Sequence, residues 1–139
     1  MFRIATVFIS AAVAGALSAF PYPNLERLDV NPLPGQGNFE VIAGVRSGPT
    51  DIWCAAGDHA GRKLGAGSND RIYITQGYGP SRTKPGFRGV SFTISPDESL
   101  RDGPRLGEGG NYSVSMRTVG FNISVSLAEQ YCRTSPDIL

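Results

Sequence analysis

The sequence predicts an α+β fold: a small antiparallel sheet of about five strands with one helix packed on it, stapled by one disulfide. Three observations carry this. Several short runs alternate apolar and polar residues, the period of a strand with one face on a core; one stretch around Trp53 instead repeats its apolar residues at three and four, the period of a helix; and the chain holds 2 cysteines.

The elements follow in order. Phe20 to Gly37 is punctuated by Pro21, Pro23, Pro32, Pro34, Gly35 and Gly37, which block a long helix, so 20–37 is expected to be an extended leader whose Leu25, Leu28, Val30 and Leu33 lie along the domain surface. Phe39, Val41, Ala43 and Val45 alternate with Glu40, Ile42 and Gly44 and predict a first strand over about 38–46. Ser47-Gly48-Pro49 breaks it, and Thr50 or Asp51 is placed to cap a helix over about 51–64. Trp53, Ala56, Ala60 and Leu64 form its apolar stripe, with Cys54 on the shoulder. Gly57 and Gly61 leave that shoulder nearly bare, which admits a second backbone but costs about 1 kcal/mol each in helix propensity, so the helix depends on packing.

Gly65 to Asp70 turns the chain, Arg71 to Tyr78 has strong strand propensity, and Val90, Phe92 and Ile94 alternate with Ser91, Thr93 and Ser95. Residues 71–95 therefore read as a hairpin with a long tip at 79–88. Pro96 to Gly110 is too broken for an element of its own. Tyr112, Val114 and Met116, and then Val119 through Leu127, alternate again and predict strands four and five; the spacing of Ala128 and Cys132 also suits a short helix, although the alternation argues for strand first.

The N-terminus bears on where the protein works. Arg3 and the free amine form a positive n-region, Ile4 to about Leu17 an apolar core, and two small-residue cleavage sites close it, Leu17-Ser18-Ala19, which uses the full apolar run, and Ala14-Gly15-Ala16, the neater A-x-A; the former is favoured, so 1–19 is expected to be a secretory signal peptide. Its apolar run of about fourteen residues falls short of the roughly 20 that a spanning helix needs, so no stable membrane anchor is expected after cleavage. The globular domain is then 38–133 and 134–139 a loose tail, with a secreted or periplasmic location. In such an oxidising compartment Cys54 and Cys132 have one intramolecular way to pair; a catalytic thiol or a metal pair would want more than the single histidine present.

Basic and acidic residues number 13 and 12, and loss of Arg3 with the signal evens them, which removes the electrostatic reason to seek nucleic acid. Trp53-Cys54-Ala55-Ala56-Gly57-Asp58, the strand Arg71-Ile72-Tyr73-Ile74, Gly79-Pro80-Ser81 and the Ala128…Cys132 step together resemble a group of small uncharacterised secreted proteins of alphaproteobacteria. The resemblance implies export, a disulfide and a bacterial envelope setting, and implies nothing about mechanism.

Candidate chemistry is sparse. His59 is preceded by Asp58, but adjacent helix residues point about 100° apart, and no Gly-x-Ser-x-Gly turn supplies a nucleophile. Gly77-Tyr78-Gly79 lacks the following helix of a phosphate-cradling loop, and Asp97, Glu98 and Asp102 lack the spacing of a calcium loop. The tip at 79–88 is the best recognition candidate, since Arg82, Lys84 and Arg88 with Phe87 concentrate three cations and an aromatic where an anionic ligand or protein partner can reach them. The expectation is an exported, non-enzymatic binding or envelope-associated domain with no catalytic residues, cofactor or metal site; the alternative is a small secreted hydrolase using His59 as base.

Overall fold

Strand propensity, turn residues and one amphipathic helix assemble into two layers in the computed structural model, which describes residues 28–133. The expected signal peptide 1–19, the first part of the leader and the tail 134–139 lie outside the described residues. The strands are β1 (Val30–Pro32), β2 (Asn38–Ile42), β3 (Arg71–Pro80), β4 (Arg88–Thr93) and β5 (Asn122–Ser124). They form one sheet in the order β1-β2-β4-β3-β5, with every neighbouring pair antiparallel.

Alternation along the strands sorts their side chains. Phe39 and Val41 of β2, Ile72 and Ile74 of β3, Val90 and Phe92 of β4 and Ile123 of β5 are all fully buried on the face that receives helix α1 (Pro49–Arg62). Helix α1 starts two residues earlier than expected, and neither Thr50 nor Asp51 is its N-cap: Gly48 takes that position, Pro49 occupies the first turn, where its missing N–H costs nothing, and the Asp51 carboxylate, at the third helical position, reaches back to accept the Gly48 amide at 2.8 Å. Trp53, the largest buried side chain, packs edge-on against Phe92 and Phe121 with centroids 4.9 and 5.8 Å away, and its indole N–H donates to the Ser115 carbonyl at 2.6 Å. The helix ends at Arg62, so Leu64 falls beyond it and is partly exposed rather than completing the apolar stripe.

Several expected elements are different in the structure. The fold begins before residue 38: Val30–Pro32 pairs with β2, and Leu28 and Leu33 are buried. An edge strand tolerates Pro32 because one side of it needs no ladder donor. Residues 112–116 form no strand, and the long alternation 119–127 yields only β5 before the chain becomes helix α3 (Val125–Gln130). Ser124 decides this, since its hydroxyl accepts the Leu127 amide at 3.2 Å and caps α3, while Val125 and Ala128 bury the helical i, i+3 face. The five-stranded count therefore holds with the leader strand replacing the expected fourth. The connection 96–110 carries a four-residue helix α2 (Glu98–Arg101) and a 3-10 turn at Glu108–Gly110. Val45, read as a continuation of the first strand, is fully exposed in the turn after β2.

The bare shoulder of α1 receives α3. A Cβ at Gly57 would stand 2.7 Å from the Ala128 Cβ and 2.9 Å from the Glu129 amide nitrogen, which is backbone and cannot swing away. This approach brings Cys54 and Cys132 together with Cα atoms 4.9 Å apart across 78 residues of sequence. The bond ties α1 to the end of α3, not to the closing strand directly, because α3 intervenes. Gly57→Ala is expected to lower stability by about 1–3 kcal/mol, the overpacking cost outweighing the roughly 1 kcal/mol gained in helix propensity, as read from the urea midpoint.

Candidate binding surface at the β3–β4 hairpin

Glu40 sits on the sheet face opposite α1, 1 % exposed, and no lysine or arginine pairs with it among the described residues. The hairpin loop 81–87 folds over it instead. Its carboxylate accepts the Ser81 hydroxyl at 2.7 Å, the Arg82 amide at 2.8 Å, the Thr83 amide at 3.2 Å and the Thr83 hydroxyl at 2.6 Å. Ser81 also accepts the Lys84 amide at 2.9 Å, and Thr83 accepts the Asn31 side-chain amide of the leader strand at 3.0 Å. A buried carboxylate is costly, and here hydrogen bonds rather than a counter-ion stabilise it. Burial pushes the Glu40 pKa up, but the hydrogen bonds from Thr83, Arg82 and Ser81 together hold it below the ordinary value.

This pinning fixes the cations that the sequence singles out. Lys84 is turned back on the protein: its Nζ lies 3.5 Å from an Asp29 carboxylate oxygen and 4.2 Å from the centroid of Phe87. Arg82 and Arg88 are exposed, and Phe87 keeps 46 % of its surface in solvent. Arg88 extends over the ring of Tyr78 at 5.7 Å, and Arg117, from the segment after the 3-10 turn, approaches the same ring at 5.4 Å. The structure thus brings Arg82, Lys84, Phe87 and Arg88 to one end of the hairpin and adds Glu40, Tyr78 and Arg117, which the sequence did not single out. Alternation places Glu40 off the core face, but nothing in it reveals that a loop 41 to 43 residues away closes over the carboxylate. Reading 112–116 as strand hid Arg117.

The remaining candidates lie apart. His59 is partly buried with its ring centroid 4.7 Å from that of Phe39, and no hydroxyl or carboxylate hydrogen-bonds the imidazole among the described residues. Asp58 instead pairs with Arg62 at 3.5 Å. Burial, with a smaller opposing effect of Asp58 and a reinforcing one of Lys63, lowers the His59 pKa. A cleft of about 300 Å³ opens between Arg105, Glu108 and the 111–121 segment over Phe121, with two of its hydroxyls, Ser115 and Thr118, bonded to each other. Among the described residues no group of three His, Cys, Asp or Glu side chains is placed to hold a metal, and no helix is long and apolar enough to cross a membrane.

The two shifts set the pH response. A histidine whose folded pKa is lowered binds protons preferentially in the unfolded state, so its contribution is complete above the ordinary imidazole value, about 6.5, and falls as pH drops below it. A carboxylate with a lowered folded pKa contributes fully above the ordinary value, about 4.3, and loses that contribution as pH falls through its folded pKa. Stability is therefore expected to decline in two stages on acidification, with His59→Gln flattening the first and Glu40→Gln the second, as followed by urea midpoints between pH 8 and pH 2.5.

Comparison with protein families, curated proteins and solved structures gives no significant match. The formed disulfide fits an extracellular or otherwise oxidising setting.

Proposed function

We propose that the protein is an exported, non-enzymatic binding domain that meets an anionic partner through the end of the β3–β4 hairpin. The observation that supports this is the use of a buried carboxylate, Glu40, to fix a loop from which Arg82 and Arg88 project into solvent. A loop already held in one conformation loses less entropy on binding, so more of the contact energy appears as affinity. Guanidinium groups suit this role because their planar donors match carboxylate and phosphate oxygens two at a time.

Export rests on the signal-like 1–19 segment, on the resemblance to secreted proteins and on the fit of the Cys54–Cys132 bond to an oxidising compartment. Protein recovered from outside the cytoplasm is expected to begin at Phe20 and to offer no thiol to alkylation. The binding reading is tested by capture from envelope extract with residues 20–139 as bait, against a variant carrying Arg82→Ala, Lys84→Ala and Arg88→Ala. The variant is expected to lose the partners that the parent retains. Equal recovery by both removes the hairpin from the proposal.

A further inference from the structure

The cleft over Phe121 has walls that are tied to the core. Asn122, fully buried, donates its side-chain amide to the carbonyls of Gly120 at 2.9 Å, Gly103 at 3.3 Å and Pro104 at 3.4 Å, and so binds the 103–105 wall to the residues on either side of Phe121. A second wall is fixed by the Trp53 indole, which holds the Ser115 carbonyl at 2.6 Å, and by the Ser115 hydroxyl, which accepts the Arg117 and Thr118 amides at 3.1 and 3.0 Å. The turn 105–111 is closed by its own backbone: the Glu108 amide donates to the Arg105 carbonyl at 3.2 Å and the Gly107 amide to the Asn111 carbonyl at 2.7 Å. A void of about 300 Å³ is thus held open before any ligand arrives.

Arg105 and Glu108 both line this void, yet neither takes part in an ion pair or a side-chain hydrogen bond among the described residues, and they do not pair with each other. A like charge stands near Arg105 instead. Burial first, and Arg105 second, lower the pKa of Arg71, whose own guanidinium is occupied by the side chain and carbonyl of Asn122.

We propose that this cleft binds a small zwitterion of the amino-acid type, its carboxylate on Arg105 and its ammonium on Glu108. A ligand that closes over the cleft takes both protein charges out of water. A neutral ligand such as a sugar leaves each without a counter-charge, and a simple anion or cation compensates one while facing the like charge of the other; a zwitterion compensates both. A volume of about 300 Å³ is the lower end of the range for ligand sites, which suits a single amino acid or a short peptide, with Phe121 beneath its apolar part. None of these residues belongs to the hairpin end, so the cleft is a second site beyond the reading given above.

The test is a titration of the disulfide-bonded protein with ω-amino acids from glycine to 6-aminohexanoate, which step the separation of the two charges. Acetate, methylammonium and glucose serve as the anion, the cation and the neutral ligand, and the Arg105 Nε–H and Asn111 side-chain amide signals are followed by NMR. One member of the series is expected to bind saturably and about tenfold or more tighter than acetate or methylammonium. Glu108→Gln should erase the advantage over acetate, and Arg105→Gln that over methylammonium, with urea midpoints unchanged because both side chains are exposed. Lys84→Gln at the hairpin should alter binding by less than about twofold. Triglycine distinguishes the sources: tighter binding than any single amino acid assigns a peptide, and weaker binding a free amino acid. A series that binds no better than acetate, glucose binding tighter than every zwitterion, or unaltered affinity in Arg105→Gln overturns the proposal. Partner capture that fails while the titration holds removes the hairpin reading alone, and the reverse removes the cleft site alone.

Discussion

Glu40→Ala is expected to lower stability by about 2–4 kcal/mol and to release the hairpin loop from the sheet. The substitution removes the common acceptor of four hydrogen bonds, which leaves the Arg82 amide without its partner and the Thr83 amide with the Ser81 hydroxyl at 3.2 Å. Water entering from the loop's solvent side recovers part of the loss, which keeps the cost below that of an unpaired charge deep in a core. Glu40→Gln keeps the shape but turns an N–H₂ toward donors, so it should cost about 1–3 kcal/mol. Urea unfolding at pH 7 reads both; a change under about 0.5 kcal/mol in Glu40→Ala would show that the loop holds itself in place without the carboxylate.

Breaking the disulfide has a comparable effect at the other side of the molecule. Cys54→Ser or Cys132→Ser is expected to cost about 2–5 kcal/mol, because the bond closes a long loop in the unfolded chain and both sulfurs are buried in the folded one. The released element should be α3, which rests on α1 across Gly57, while the hairpin end keeps its structure because Glu40 anchors it independently. Comparing the amide signals of α3 with those of Arg82 to Phe87 in the oxidised parent and in Cys132→Ser separates the two anchors. Loss of the hairpin signals together with α3 would mean that the domain unfolds as one unit at this site.

Legibility in the sequence followed the range of the interactions. Period-two runs at β2 and β4, the strand propensity of β3, the stripe of α1 from Trp53 to Ala60, the hairpin and the cysteine pair are written in neighbouring residues or in simple counting, and each appears in the structure. The glycine-bare shoulder at Gly57 also signalled a close backbone, although which element would fill it was hidden. Two features misled. Proline and glycine in 30–37 disguised an edge strand, where such residues are tolerated, and serine alternation through 119–127 imitated a strand where Ser124 in fact caps a helix. The candidate site was half legible: Arg82, Lys84, Phe87 and Arg88 stand together in sequence, but Glu40, Tyr78 and Arg117 join them only through strand pairing and long-range closure.

The claim on which the functional reading turns is that Glu40 holds the loop in a single conformation before any partner arrives. Amide hydrogen exchange of Arg82 and Thr83 tests this most directly, since both N–H groups donate to that carboxylate. Both amides are expected to exchange slowly in the parent, and Arg82, whose N–H donates to no other acceptor among the described residues, to lose that protection in Glu40→Ala while the Val90 and Phe92 amides of β4 keep theirs. Fast exchange at Arg82 and Thr83 in the parent, or protection of Arg82 that survives Glu40→Ala unchanged, would contradict the account.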